Sequence, residues 1–189
     1  GGVERGTIEI AKALIEGDHA AFIASNGGCN VAEVEKARAT HFTLPVHSKN
    51  PFVMLLNAYK LVKVIKENAI DILHARSRAP AWSSLIACKL TGCKFVTTFH
   101  GAYGSGNALK RLYNSVMLRS DKVIAISNFI LKHVETRYRV KHEKIEVIHR
   151  GVDLDFFNLD NISDKRLKDI KKELDIDTSK PVIIMPARF

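Results

Sequence analysis

Segments with helical spacing alternate with short apolar segments along most of this chain of 189 residues. The predicted strands lie at 19–24, 41–46, 70–75, 94–100, 122–126 and 144–149. The predicted helices lie at 3–16, 31–38, from Asn50-Pro51 onward, and at 81–91, 107–119, 128–138 and 163–175. Strands that alternate with helices pair in parallel, with the helices packed on the sheet. The pattern therefore predicts an α/β fold, a Rossmann-like doubly wound parallel sheet with helices on both faces.

The two ends of the chain predict that this fold is part of a larger architecture. Gly1-Gly2 enters the first helix directly, although a glycine turn of this kind normally follows a strand. The apolar run 181–186 predicts a buried strand with no helix after it. We therefore expect a Rossmann-like domain over 1–160 that lacks its first strand and a helical linker over 161–180. Residues 181–189 would be the first strand of a truncated second domain.

The charge balance favours anionic partners. Lys and Arg number 29 against 20 Asp and Glu, a formal net charge of +9. Such a surface attracts phosphorylated small molecules, acidic lipids or nucleic acid. Nucleic acid is not expected, because the sequence has neither a recognition motif nor interleaved aromatic residues.

Other compositional features exclude several classes of site. The three cysteines lack CxxC spacing, which favours reduced thiols over a disulfide framework or a zinc site. The sequence has no DxD or HExxH motif, so no metal site is expected. It also has no apolar run long enough to span a bilayer and no signal peptide, so we expect a cytoplasmic protein.

One amphipathic segment has two interpretations. Lys110, Arg111 and Arg119 lie among the apolar residues of the predicted helix 107–119. A helix of this kind can lie on an anionic membrane, which would place the protein at the inner face of the cytoplasmic membrane. The same pattern is typical of a surface helix with one buried face, and this is the favoured interpretation.

The strand at 94–100 ends in the most informative residue, His100. Its apolar run is typical of a strand covered on both faces. In open α/β sheets such strands present ligand-binding residues at their carboxyl ends. An imidazole there can exchange protons or donate a hydrogen bond to a reacting group.

Other polar residues are predicted at the same edge. Arg76 and Arg78 follow the strand 70–75 and are candidates for binding an anionic acceptor. Ser127 follows the strand 122–126 and Arg150 follows the strand 144–149, although helix capping also explains Ser127. Arg5, in the first turn of the first helix, could pair with a phosphate or carboxylate or simply be solvated.

The serial order of several motifs resembles one known family. GGVERGTIEIAKAL, TTFHG, VIAIS, VIHRGVDLDFF and PVIIMPARF occur in that order along essentially the whole chain. Together they resemble the family 4 retaining glycosyltransferases of the GT-B fold, which include bacterial lipopolysaccharide and cell-envelope enzymes. In that family an N-terminal domain mainly binds the acceptor and a C-terminal domain mainly binds a nucleotide-sugar donor.

The resemblance implies roles for individual residues. Gly1 and Gly2 match the glycine loop that contacts the donor, and His100 matches the histidine beside the reacting sugar. Arg188 matches the arginine that holds the donor diphosphate, although Ala187 stands where the family usually has glycine. The implied donor is a UDP-, GDP- or ADP-hexose, with no other cofactor, and the implied acceptor is a cell-envelope glycolipid or polysaccharide.

The resemblance also limits what this chain is expected to do alone. The family's lysine and paired glutamates of the donor domain would lie beyond residue 189, so we expect little transfer by this chain alone. The main alternative is a non-catalytic, Rossmann-like nucleotide- or anion-binding module. A sugar-nucleotide epimerase of the same fold is a further alternative.

Overall fold

The computed structural model describes residues 2–104, 106–138 and 140–185. The chain divides into two compact units, residues 1–150 and 151–189. Every helix and strand predicted before residue 150 is present in the first unit, with its ends displaced by a few residues. The predicted helix at 163–175 is present in the second unit.

The elements follow one another in the predicted order. The strands are β1 (Phe22–Ser25), β2 (Thr40–Thr43), β3 (Ile72–Ala75), β4 (Lys94–Phe99), β5 (Lys122–Ala125) and β6 (Ile145–Val147). The helices of the first unit are α1 (Gly2–Glu16), α2 (Val31–Lys36), α3 (Pro51–Glu67), α4 (Arg78–Thr91), α5 (Ala108–Ser115) and α6 (Asn128–Tyr138). A 3-10 turn, Val116–Leu118, follows α5, and α7 (Asp164–Glu173) lies in the second unit.

All strand pairs are parallel, which confirms the predicted α/β class. One sheet has the order β3-β4-β5-β6, with Ala75 opposite Thr97 and Phe99 opposite Ala125. The other sheet, in the part of the chain that the structure describes, consists of β1 and β2. Within the described residues β1 and β3 are not hydrogen-bonded to each other, so the parallel strands form two sheets where the pattern predicted one. The expected strand before Gly1 stays a prediction.

Helices cover both faces of the β1-β2 sheet. Side chains alternate across a strand, and Ile23 of β1 packs with Ile8 and Val34, from α1 and α2. The next residue, Ala24, belongs to a different cluster that contains Leu61 of α3. The alternation therefore places α1 and α2 on one face and α3 on the other.

A larger hydrophobic core covers one face of the four-stranded sheet. Phe99 of β4, Val123 of β5, Met117 of the 3-10 turn and Val134 of α6 are all fully buried there. Alternate strand residues point the other way, so this core leaves the opposite face of β3 and β4 available to polar side chains.

The helix α3 begins where the sequence predicts and exposes several large apolar side chains. The Oδ1 atom of Asn50 accepts a hydrogen bond from the Phe52 N–H at 2.9 Å, so Asn50 caps the helix at its predicted start. Four large apolar side chains in the first half of this helix are exposed, namely Phe52, Leu55, Leu56 and Tyr59.

Hydrogen bonds explain which face of α3 is buried. The Nδ2 atom of buried Asn57 donates to the carbonyl of Pro45 at 3.0 Å. Ser83 of α4 donates to the carbonyl of Met54 at 3.0 Å. Buried polar groups need such partners, and this requirement orients α3 toward α4 through small and polar side chains.

The predicted strand at 181–186 is not formed in the described residues. Residues 181–185 have no regular secondary structure, and Ile183 is 95% exposed. A strand needs a hydrogen-bonded partner, and within the described part of the chain none pairs with this segment. Pro186 and the residues after it lie outside the described residues.

We predict that the core depends strongly on Phe95, which is 3% exposed. Substitution Phe95→Ala should lower the free energy of unfolding by about 3–5 kcal/mol, because it removes a buried ring from the start of β4. Urea unfolding followed by circular dichroism measures this loss.

The matched control is Phe129→Ala in α6, where the ring is 72% exposed. Its effect should stay within about 0.5 kcal/mol. Equal losses in the two variants would contradict the assignment of the core.

Candidate functional site

The parallel strands deliver three basic side chains to one edge of the sheet. Arg76 follows β3, His100 follows β4, and Arg150 lies beyond the end of β6. The carboxyl ends of parallel strands lie at the same edge. The structure therefore places these residues together although they are far apart in the sequence.

A direct contact joins two of them. The Nη2 atom of Arg150 lies 2.8 Å from the Nδ1 atom of His100, a hydrogen bond that spans 50 residues of sequence. The other ring nitrogen of His100, Nε2, is buried and has no hydrogen-bond partner within the described part of the chain. The Nε atom of Arg76 is also buried and also has no hydrogen-bond partner among the described residues.

A second histidine lies close to this group. The Nε2 atom of His74, on β3, is 2.7 Å from the Oγ1 atom of Thr98 on β4. Both residues precede the strand ends by one position, on the face that the large core leaves free. His74 is thus held by the sheet, and it adds an imidazole to the surroundings of His100.

The first turns of α1 lie close to both arginines. A Cβ atom added at Gly2 would lie 2.7 Å from Nη1 of Arg150, and one added at Gly6 would lie 3.0 Å from Nη2 of Arg76. The two glycines therefore leave space for the guanidinium groups. The amino-terminal end of α1, which carries the positive end of the helix dipole, adds to their positive charge.

Burial and charge keep both histidines neutral. Burial lowers the pKa of His100 to about 4, and the charges of Arg76 and Arg150 add to the effect. Burial also lowers the pKa of His74 to about 4, with a further contribution from Arg76. The pKa of Arg76 is itself lowered, first by burial and then by Arg150. The site therefore concentrates positive charge on the arginines.

Three other predicted residues make structural contacts. Arg5 contacts Glu9 and Glu33, so acidic neighbours balance its charge. Arg78 donates to the Oδ1 atom of Asn114 at 2.9 Å and lies over an aromatic ring. Ser127 accepts a hydrogen bond from the backbone of α6 at 3.3 Å, which is a capping contact.

The two remaining predicted donor residues lie outside the described residues. These are Gly1 and Arg188. Their roles stay predictions. Gly2 does lie beside the site, where its lack of a side chain leaves space for Arg150.

The sequence predicts most residues of the site but not the contacts between them. It did not find Gly6, which makes room for Arg76, or the pair of His74 with Thr98. The sequence does place His74 at this edge, as a residue with either a structural hydrogen bond or a function, but it does not identify Thr98 as the partner. The contact from Arg150 to His100 has no local signal in the sequence.

The arrangement is suited to binding an anion next to a hydrogen-bonding imidazole. Guanidinium groups pair well with phosphate and carboxylate oxygens. Among the residues that the structure describes, no group of three or more His, Cys, Asp or Glu side chains is placed to hold a metal ion. No helix in this described part is long and apolar enough to cross a membrane.

The chain belongs to Glycosyltransferase Family 4, whose sequence profile matches residues 1–156. This match covers the whole first unit and therefore every residue of the site described above. No curated protein sequence matches the chain.

Solved structures agree with this assignment. A glycosyltransferase from Rickettsia africae is 46% identical, with a TM-score of 0.86 over 100% of this chain and 50% of the other. The Anabaena protein HepE, in a complex with UDP-glucose, is 20% identical, with a TM-score of 0.73 over 93% of this chain and 46% of its own. The lipopolysaccharide galactosyltransferase WaaB is 16% identical, with a TM-score of 0.61 over 82% of this chain and 43% of its own. The chain thus spans about half the length of these proteins.

We predict that stability falls on acidification because of the buried histidines. Between the ordinary pKa of 6.5 and the lowered value of about 4, an unfolded His74 binds a proton that the folded one does not. The free energy of unfolding therefore decreases as the pH falls through this window. Urea unfolding from about pH 7 to about pH 4.5 measures this loss.

The variant His74→Gln separates the contribution of His74 from other causes of lost stability at low pH. It should flatten the profile, whereas His19→Gln, which replaces an exposed imidazole, should follow the wild type. A His74→Gln profile as steep as that of the wild type would show that His74 is not kept neutral by folding.

Proposed function

We propose that this chain is the acceptor-side half of a retaining glycosyltransferase. The enzyme moves a hexose from a UDP-, GDP- or ADP-sugar to a cell-envelope glycolipid or polysaccharide, as in the synthesis of lipopolysaccharide-type glycans. Family membership supports the class of reaction. The donor, the acceptor and the retained configuration are part of the proposal.

The observation that carries this proposal is the convergence of Arg76, His100 and Arg150 at one sheet edge. Two guanidinium groups lie beside an uncharged imidazole whose Nε2 atom has no partner within the described residues. A nucleotide sugar carries a diphosphate directly attached to the sugar that is transferred. A site with positive charge next to a neutral hydrogen-bonding group matches that pair of features.

In the proposed reaction the guanidinium groups and the imidazole have separate roles. The bond between the anomeric carbon and the diphosphate breaks, the acceptor oxygen bonds to the same carbon, and the departing diphosphate takes the proton of the acceptor hydroxyl. Positive charge lowers the energy of the departing diphosphate, since negative charge develops there. His100 contacts the reacting sugar and does not act as a covalent nucleophile.

The relatives support a nucleotide-sugar donor. The Rickettsia africae protein is a glycosyltransferase, and HepE was solved with UDP-glucose. WaaB is a lipopolysaccharide outer core galactosyltransferase, which supports a cell-envelope acceptor. Among our predicted acceptor contacts, Arg5, Arg78 and Ser127 make structural contacts, and we assign Arg76 and Arg150 to the donor diphosphate instead.

We also propose the domain organisation on which this function depends. Residues 1–160 form the acceptor-binding domain, 161–180 a linker, and 181–189 the start of the donor-binding domain, with Arg188 at the donor diphosphate. A strand before Gly1 would complete the parallel sheet between β1 and β3. Full-length protein should transfer sugar, whereas residues 1–189 alone should not.

A peripheral position at the inner face of the cytoplasmic membrane fits a glycolipid acceptor. Leu109 and Leu112 of α5 are 77% and 54% exposed, beside the exposed Lys110 and Arg111. The buried residues of this segment begin only at Asn114. Exposed leucines next to cationic side chains favour an anionic lipid surface over a fully packed surface helix.

We predict that His100→Ala lowers kcat for sugar transfer by the full-length protein about 100-fold or more, as removal of a hydrogen bond to a reacting group does. Release of nucleoside diphosphate from UDP-, GDP- and ADP-hexoses measures the rate. The control His19→Ala replaces an exposed imidazole and should keep the wild-type rate.

The same assay decides between the proposal and a non-catalytic module. A module would bind a nucleotide sugar without releasing the diphosphate. Unchanged turnover in His100→Ala would remove His100 from the reaction, and an absence of turnover with every donor would favour the module.

We predict that the full-length protein sediments with vesicles that contain anionic lipid and not with purely zwitterionic vesicles. The double variant Leu109→Gln and Leu112→Gln should weaken sedimentation about tenfold, because two apolar side chains lose their insertion energy. Leu90→Gln, at a position 67% exposed on α4, is the matched control and should bind as the wild type does. Equal binding by all three proteins would contradict the membrane contact at α5.

A further inference from the structure

The hydrogen bond between Arg150 and His100 determines which ring nitrogen carries the proton. The Nη2 atom of Arg150 lies 2.8 Å from Nδ1 of His100. A guanidinium group has five N–H donors and no acceptor. Nδ1 must therefore accept the hydrogen bond through its lone pair, and it carries no proton in this arrangement.

A neutral imidazole has one N–H, so the proton of His100 lies on Nε2. We infer that Arg150 is a positioning residue that holds His100 in its Nε2–H tautomer, so that the buried and otherwise unpartnered Nε2 is a hydrogen-bond donor. His100 then offers a hydrogen bond to an oxygen and cannot accept a proton at Nε2. This assignment gives Arg150 a role beyond contact with an anion.

Gly2 is the residue that makes room for this arrangement. A Cβ atom at Gly2 would lie 2.7 Å from Nη1 of Arg150, closer than side-chain atoms pack. The guanidinium group is the end of a flexible side chain, so it would move before α1 did. The absence of a side chain at position 2 is thus part of how His100 is positioned.

The surroundings of His100 support the same protonation state. Burial lowers the pKa of His100. Its basic neighbours lower this pKa further, namely Arg76 beyond β3, Arg150 beyond β6 and His74 on β3. A second proton on Nδ1 would place an N–H against the donors of Arg150. His100 therefore stays neutral across the physiological pH range.

The consequence for chemistry rests on the proposed function. A neutral Nε2–H can donate to a hydroxyl or ring oxygen of the transferred hexose while the arginines face the diphosphate. The tautomer itself does not depend on any substrate. Its test can therefore fail or succeed independently of sugar transfer.

Long-range proton–nitrogen NMR of the protein labelled with 15N-histidine reads the tautomer directly. The chain has 8 histidines, and His100→Gln identifies the signals of His100 by their loss. At about pH 7 the wild type should show a protonated Nε2 and an unprotonated Nδ1 at this residue. A protonated Nδ1 would overturn the inference.

Two matched substitutions separate the hydrogen bond from the local charge. Arg150→Met and Arg76→Met each remove one nearby positive charge, and both should raise the pKa of His100. Only Arg150→Met should convert His100 to a mixture of tautomers, and Arg150→Lys should restore the Nε2–H form in part. A tautomer unchanged in Arg150→Met, or changed equally in Arg76→Met, would contradict the role of Arg150.

The glycines provide a test that leaves both arginines in place. Gly2→Ala should displace Arg150 and give the tautomer mixture of Arg150→Met, whereas Gly6→Ala, beside Arg76, should keep the Nε2–H form. Circular dichroism confirms the fold of each variant, and Gly2→Ala decides the question if Arg150→Met does not fold. A pure Nε2–H form in folded Gly2→Ala would overturn the assignment.

Discussion

Parallel pairing of β3 through β6 brings the polar ends of distant segments to one edge of a sheet. Register then determines which side chains meet, with Ala75 opposite Thr97 and Ala125 opposite Val147. This register determines where Arg76, His100 and Arg150 lie, because each comes shortly after the end of a strand. The large core behind the sheet keeps the strands in place, so the site depends on packing that lies on the opposite face.

The site places like charges together, which is unfavourable for folding alone. Two arginines lie near each other, and burial lowers the pKa of Arg76 in the same direction as the charge of Arg150 does. The cost is reduced because both histidines stay neutral and one of them accepts a hydrogen bond from Arg150. An anionic ligand would offset the remaining repulsion. Affinity for a diphosphate or another phosphate group follows from the same charges.

Element order and the candidate edge were predictable because both depend on local patterns. The β-α alternation and the cap at Asn50 are local signals, and the rule about carboxyl ends selects His100, Arg76 and Arg150. The buried face of α3 was not predictable from its apolar repeat, because hydrogen bonds of Asn57 and Ser83 decide it.

The features that the sequence did not predict depend on contacts between residues that are far apart in the chain. The structural contacts of Arg5 and Arg78 depend on Glu33 and Asn114, which are distant in sequence. The apolar run at 181–185 has the composition of a strand but no pairing partner within the described residues, and pairing is what makes a strand. Sequence patterns therefore identified the edge, while the contacts across it required the three-dimensional structure.

A titration of the full-length protein with uridine, guanosine and adenosine diphosphate, followed by NMR of the arginine Nε and histidine ring nitrogens, tests the central claim most directly. If the sheet edge binds the donor diphosphate, at least one nucleotide shifts the signals of Arg76 Nε and His100 Nε2 in a saturable and salt-sensitive manner. Saturable binding that leaves both signals unchanged would place the nucleotide elsewhere and contradict this account.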